Sequence, residues 1–377
     1  MKYRKLLKRE YKSMKVSQKD SVLRQAVVTI CMSLVLVFAC SNKGRDKIQA
    51  YEPKNIIDGF ANKVVIATYS DLDQKSGALL QTVETLKINK TDASLKQAQD
   101  AWKAMRRPWE QSESFLFGPA DTNGYDPKLD SWPVNKVDLD AVLSSGEKLT
   151  VPYIETLEDE LKGFHTIEYL LFGSKNDQTI KNLDVRKIEY LLSATQSLRK
   201  TASDLYKSWS PSGGNFILEV TGAGSSSKAY GSRKDMLQEM VNGMVGIIDE
   251  VGNGKIGDPY NKKDPTLVES QFSYNSLQDF QDNITGVKNV YMGSYTGTST
   301  AGGGLTSFVS ETNPELDNKI KLAIDEAIKS ITSIPYPFRD SITKHPTQVG
   351  KAVQTIGNLQ TILEGDLSAL ISDSEFN

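Results

Sequence analysis

The chain has 377 residues, 45 Lys and Arg against 47 Asp and Glu, and 38% hydrophobic residues, enough apolar material for a sizeable core. Its two cysteines are Cys31 and Cys40, so nothing beyond residue 40 can form a disulfide framework or a cysteine-ligated zinc site. Beyond residue 39 the count is 36 basic against 45 acidic side chains, about −9, which argues against nucleic acid as a partner and is compatible with attracting cations.

The N-terminus carries nine Lys and Arg between Lys2 and Arg24, followed by the uncharged run AVVTICMSLVLVFA from Ala26 to Ala39. A helix of that length rises only about 21 Å, short of the ~30 Å hydrocarbon core, so a cleaved export signal fits better than a membrane span. The run ends Val37-Phe38-Ala39-Cys40 and turns polar at once, which resembles the lipobox of bacterial lipoproteins. That predicts a signal peptide over 1–39, a mature chain starting at an acylated Cys40 held in a lipid bilayer, and a tether over 40–54.

Apolar residues then recur at helical spacing. Ile56, Ile57, Phe60, Val64 and Ala67 lead into Leu72, Leu79, Leu80, Val83 and Leu86, one long segment. Thr91 or Asp92 starts a second helix through Leu95, Ala98, Trp102 and Met105. Further helices are predicted over 156–172, 184–209, 235–250, 276–291, 314–334 and 347–372. Sustained two-residue alternation is scarce, and the predicted class is all-α. A mature chain of 338 residues exceeds what one core normally serves. Turn-forming residues fill 118–131, 210–232, 252–265 and 297–304. The Ser210–Ser232 stretch is the natural boundary, giving helical halves over 55–210 and 233–377 with a linker over 211–232.

No GxSxG, HExxH, CxxC or GxGxxG motif is present, and Gly302-Gly303-Gly304 lacks the Gly-Lys-Ser/Thr of a phosphate loop. The chemistry concentrates in residues 102–173. His165 and Glu168 lie three apart in GFHTIE and share one helical face. They could ligate one cation, act as an acid–base pair, or simply hydrogen bond on a helix surface. Gly163 would let another backbone or a ligand come close. His345, before Pro346, fits no motif and reads as a surface loop residue.

The segment Gly163–Gly173, GFHTIEYLLFG, resembles the GxHxxE signature of the imelysin family, also grouped as M75 peptidases. The block Ala101–Pro119 and the stretch Asp126–Pro133 are similar to the family's other recurring stretch. Lys255–Tyr260 and Glu269–Gly293 resemble the second half of its iron-regulated, Bacteroidetes-type lipoproteins. The resemblance implies two bundle-like halves, an ancient duplication, with the GxHxxE helix facing a cleft between them. It also implies His165 and Glu168 as the metal centre with Glu110 and Glu113, and Arg106, Trp109, Ser112, Asp130 and Trp132 as cleft neighbours.

Two functions follow from the resemblance. One is an iron-binding or iron-uptake lipoprotein on the periplasmic face or surface of a Gram-negative cell, holding an iron ion or an iron-bearing ligand and meeting outer-membrane uptake partners. The other is a zinc metallopeptidase in which His165 and Glu168 hold the metal, or Glu168 is catalytic, and extracellular polypeptides are cleaved. Catalytic zinc usually takes three protein ligands, and the sequence offers two plainly, so iron binding is favoured. A helical adaptor with a vestigial site is a third reading.

Overall fold

Wherever apolar residues fall at three- and four-residue intervals the backbone is helical, and no strand runs among the described residues of the computed structural model, 52–295 and 303–376. The predicted signal peptide, Cys40, most of the tether and most of the 297–304 turn lie outside the described residues. No helix among the described residues is long and apolar enough to cross a membrane.

The first segment runs from Lys54–Gly59 through a π-helical stretch, Phe60–Val65, into α1 (Ile66–Ile88), burying Tyr69, Leu72, Leu79, Val83 and Leu86 along one side. Thr91 caps α2 (Asp92–Ser112). Its hydroxyl accepts from Ser94 N while the Ser94 side chain closes back on the Thr91 N–H, so two orphan amides are satisfied. The helix α3 (Gly163–Phe172) is shorter than the predicted 156–172, because Lys162 is extended and only a single turn, Asp159–Leu161, precedes it. Asp184 caps α4 (Val185–Trp209) by accepting from Lys187 N at 2.8 Å, and α1 packs against both α2 and α4.

Ser232 forms a second capping box at the start of α5 (Arg233–Asp249). The predicted loop over 252–265 is largely helical instead. The chain continues α5 as a π-helical stretch, Glu250–Gly257, and then Asp258–Lys262, because winding on buries Val251 and Ile256. Likewise the predicted 118–131 loop holds two short helices, Pro119–Thr122 and Tyr125–Asp130. The remaining long helices are α6 (Ser276–Met292), α7 (Pro314–Thr332) and α8 (Pro346–Thr361), which passes through a π turn into Ser368–Asp373.

What positions the site is the crossing of α6 on α2. At Gly286 an added Cβ would stand 2.4 Å from the carbonyl oxygen of Gln111, so only glycine lets the two backbones come this near. Asn283 and Asn289 fasten the crossing, donating to the Glu110 carbonyl at 3.1 Å and to Gln111 Oε1 at 3.0 Å. The acidic face of α6 is thereby laid over the last turns of α2.

Candidate metal centre

Arg106 lies on α2 one turn before Glu110, and Glu113 follows in the 3-10 turn Glu113–Phe115. The Arg106 guanidinium is fully buried and its central carbon, Cζ, stands 4.9 Å from the Phe164 ring centre. Four carboxylates surround it: Glu110 and Asp130 in direct pairs, Glu269 at 2.8 Å and Asp279 at 3.3 Å. Burial alone would weaken its charge, but Asp130, Asp279 and Glu269 more than offset that and hold it protonated.

Asp130 is brought to this cluster by the end of the short Tyr125–Asp130 helix, which rests directly on the first residue of α3. Gly163 sits there at φ +74°, and a Cβ on it would be 2.4 Å from the Leu129 carbonyl oxygen. The close approach expected at Gly163 is therefore made by backbone. Asp130 accepts from Trp109 Nε1 at 2.5 Å and faces His165 Nε2 at 3.1 Å. Trp132 stands edge-on to the imidazole, ring centres 5.2 Å apart.

His165 and Glu168 are both fully buried on α3, not on a helix surface. His165 Nδ1 donates to Glu168 Oε2 at 3.0 Å, while Glu168 Oε1 accepts from the Phe272 N–H at 3.0 Å, the Ser273 N–H at 2.7 Å and the Ser273 hydroxyl at 2.7 Å. Glu168 is thus engaged on both oxygens and fixes the ring. His165 Nε2 has no hydrogen bond of acceptable geometry, and Arg106 Nε and Glu269 Oε2 share that condition. One ligand atom each from Asp130, His165 and Glu269 lie within 4.8 Å of one another. An imidazole with one nitrogen fixed by a carboxylate and the other aimed at two carboxylates is a donor set suited to a divalent ion.

The sequence-derived acids Glu110 and Glu113 lie next to this group. Lys255, from the π-helical stretch after α5, reaches Glu113 Oε2 at 2.8 Å and Glu110 Oε2 at 3.2 Å, and Asn283 Nδ2 donates to the same two oxygens at 2.5 and 2.7 Å. Ser112 Oγ donates to the Trp109 carbonyl at 2.6 Å and takes no part in the cluster. His345 ends the Phe338–Lys344 helix, part-buried, away from these residues in every contact described.

Six acids, Glu110, Glu113, Asp130, Glu168, Glu269 and Asp279, gather around Arg106, Lys255 and His165, so negative charge is in excess. The excess is relieved by protons. Burial pushes Glu113 up to about 8 against the pull of Lys255, and pushes Asp279 up to about 7 despite Arg106. Burial also opposes ionisation of Asp130 and Glu269, but Arg106 and His165 hold Asp130 well below the usual carboxylate range, and Lys255 with His165 brings Glu269 down to about 2. Burial disfavours a charged His165, yet the Asp130 charge raises its pKa well above 6.5, so a cation bound at Nε2 would displace a proton.

The group opens onto a cavity of about 360 Å3 lined by Glu113, Asp126, Asp130, Glu250, Asp258 and Glu269, with Lys255, Trp132 and Leu267. Such a lining concentrates cations. Sequence reasoning missed Lys255, Glu269, Asp279 and Asn283 as site residues. The available signal was that all four fall within the two downstream stretches, Lys255–Tyr260 and Glu269–Gly293, on which the family resemblance rests.

The imelysin (peptidase M75) pattern matches residues 65–364. Over 321 residues the chain is 30% identical to iron-regulated protein A of Synechococcus elongatus, the match covering 85% of each. A crystallised Parabacteroides distasonis protein, described as an iron-regulated protein A precursor, is 30% identical and superposes with a TM-score of 0.76 over 86% of this chain and 95% of its own. An imelysin-like protein from Psychrobacter arcticum, 15% identical, shares the fold at a TM-score of 0.70, covering 86% of this chain and 97% of its own.

Proposed function

The chain belongs to the imelysin family, and from that premise we propose that it is an extracytoplasmic iron-binding protein, anchored through acylated Cys40, whose ion is held by Asp130, His165 and Glu269. The observation that carries this reading is the buried His165 Nε2, without a hydrogen bond and aimed at two carboxylates. Hard carboxylate oxygens with one imidazole suit iron or manganese. Iron is favoured because two relatives bear the name iron-regulated protein A.

In this reading Glu168 is a positioning residue that sets the imidazole tautomer, Glu110 lies beside the ion's seat through its pair with Arg106, and Glu113 tethers Lys255. Residues 55–210 and 233–377 are taken as two halves of duplicated origin joined by 211–232. Arg106, Asp130 and His165 come from the first, and Lys255, Glu269 and Asp279 from the second. Peptidase action through Glu168 is less well supported, since both of its oxygens are already bonded. The export signal and the cysteine that ends it support an outward-facing compartment, and the resemblance to iron-regulated lipoproteins supports uptake partners at the outer membrane.

Anaerobic titration of the mature protein and of His165→Ala with Fe2+ and with Zn2+ tests the site. The wild type should bind iron, and the variant should lose that affinity with its circular dichroism unchanged. Equal binding by both proteins overturns the assignment, and zinc-restored hydrolysis of a polypeptide would favour the peptidase. Mass spectrometry of the native membrane fraction should find Cys40 acylated; an unmodified thiol there refutes the anchor.

A further inference from the structure

Taking Asp130, His165 and Glu269 as the ion's ligands, as proposed above, the neighbour that matters most is Lys255. Its ammonium lies 3.2 Å from Glu269 Oε2 and 3.5 Å from Glu269 Oε1, and the latter oxygen is 3.6 Å from His165 Nε2. One carboxylate therefore serves both the tethered ammonium and the donor group. An ion seated between His165 and Glu269 would stand within a few ångströms of a like charge, and in a buried setting that repulsion is only weakly screened.

The surroundings give the ammonium somewhere to go. Glu113 Oε2 holds it at 2.8 Å, closer than Glu269 does, and Glu250, 57% exposed at the cavity wall, is 4.0 Å away. Asn283 bonds Glu110 and Glu113 independently, so these acids keep a donor when Lys255 shifts. The π-helical stretch that carries Lys255 is what turns it inward: it is 9% exposed in a segment where Glu250 faces solvent.

We infer that Lys255 is a specificity-determining counter-cation, which competes with incoming ions for Glu269 and yields that carboxylate only to multivalent ones. A tethered ammonium acts at a high effective concentration, so a singly charged ion gains nothing by replacing it. A doubly charged ion does, because its attraction to the two carboxylates is twice as large while the ammonium retains Glu113. The consequence is a site with reduced affinity for every cation and strong exclusion of sodium and potassium.

The test uses Mn2+, which resists oxidation, in calorimetric titrations of the mature protein, Lys255→Met, Lys255→Arg and His165→Ala. Potassium is raised at constant ionic strength against tetramethylammonium. Lys255→Met should bind Mn2+ about tenfold tighter or more and should become sensitive to potassium, while Lys255→Arg stays near the wild type in both respects. If Lys255→Met proves unstable, Lys255→Met with Glu113→Gln removes one acid along with the base and should show the same two changes. Unchanged or weaker Mn2+ binding by a folded Lys255→Met, with His165→Ala still abolishing binding, makes Lys255 a structural strut and overturns the inference alone. Binding by neither the wild type nor any Lys255 variant overturns the ligand assignment and the inference with it.

Discussion

Replacing Gly163 by alanine should damage stability and the metal centre together. The residue sits at φ +74°, where an L side chain costs about 1–2 kcal/mol. The new Cβ would also stand 2.4 Å from the Leu129 carbonyl oxygen, 2.9 Å from its carbon and 3.1 Å from the Lys128 oxygen, all backbone. Relieving those contacts means moving the end of the Tyr125–Asp130 helix by roughly 1 Å, and overpacking of this kind costs about 1–3 kcal/mol. The sum, about 3 kcal/mol, corresponds to a fall in Tm of about 4–5 °C for a unit of this size. The displaced segment carries Asp130, so its contacts with Arg106 and His165 should lengthen and cation affinity should drop. Calorimetry and urea denaturation measure the first effect, and titration with Mn2+ the second. Gly246, exposed in α5 with nothing within 4 Å of its would-be Cβ, is the control, and alanine there should stabilise by about 1 kcal/mol. A Gly163→Ala protein within 0.5 kcal/mol of the wild type would refute the claim that this glycine is needed for backbone approach.

Three further outcomes are expected. Glu168→Gln should keep the fold, since an amide oxygen can still accept from Phe272 and Ser273, but its NH2 group facing His165 Nδ1 moves the ring proton to Nε2; cation affinity should fall about 10- to 100-fold, with the tautomer change visible in imidazole nitrogen NMR. Arg106→Met leaves Glu110, Asp130, Glu269 and Asp279 without their shared cation and should cost about 3–5 kcal/mol in urea denaturation. With chelator present, stability should fall as pH rises from about 5 to about 8. Glu113 and Asp279 have folded values of about 8 and 7 against 4.5 and 3.8 unfolded, so the folded state holds protons the unfolded state has lost, at up to ~1.4 kcal/mol per pH unit for each group. Glu113→Gln should flatten that slope, and a urea midpoint independent of pH across this window would contradict it.

The sequence disclosed what local chemistry decides. The cap at Thr91, the apolar stripe of α1 and the shared face of His165 and Glu168 depend on residues within a turn or two of one another, and each is found where expected. Reading the glycines of 252–265 as breaks misses that burial of Val251 and Ile256 carries the helix on through a wider turn. The same error hid Lys255. Asp279 on α6 and Glu269 in the turn before it were invisible for another reason: an acid looks solvated until something distant covers it, and for Asp279 the covering is the crossing of α6 on α2 at Gly286. Local spacing also cannot distinguish a carboxylate that would bind an ion from one that orients a ring, and both oxygens of Glu168 are taken up by His165, Phe272 and Ser273.

Arg106 meets Glu269 and Asp279 across 163 and 173 positions of chain. In terms of folding order, contacts of such separation form only after the intervening chain has been closed into a loop, and until then every one of these side chains keeps its water. Late formation of the ionic cluster is therefore expected, and substitutions in it should accelerate unfolding while leaving the refolding rate nearly unchanged. A molecule that has buried the cluster has by that fact brought α2 and α6 into register, so the buried ion pairs of Arg106 also mark the chain as completely folded.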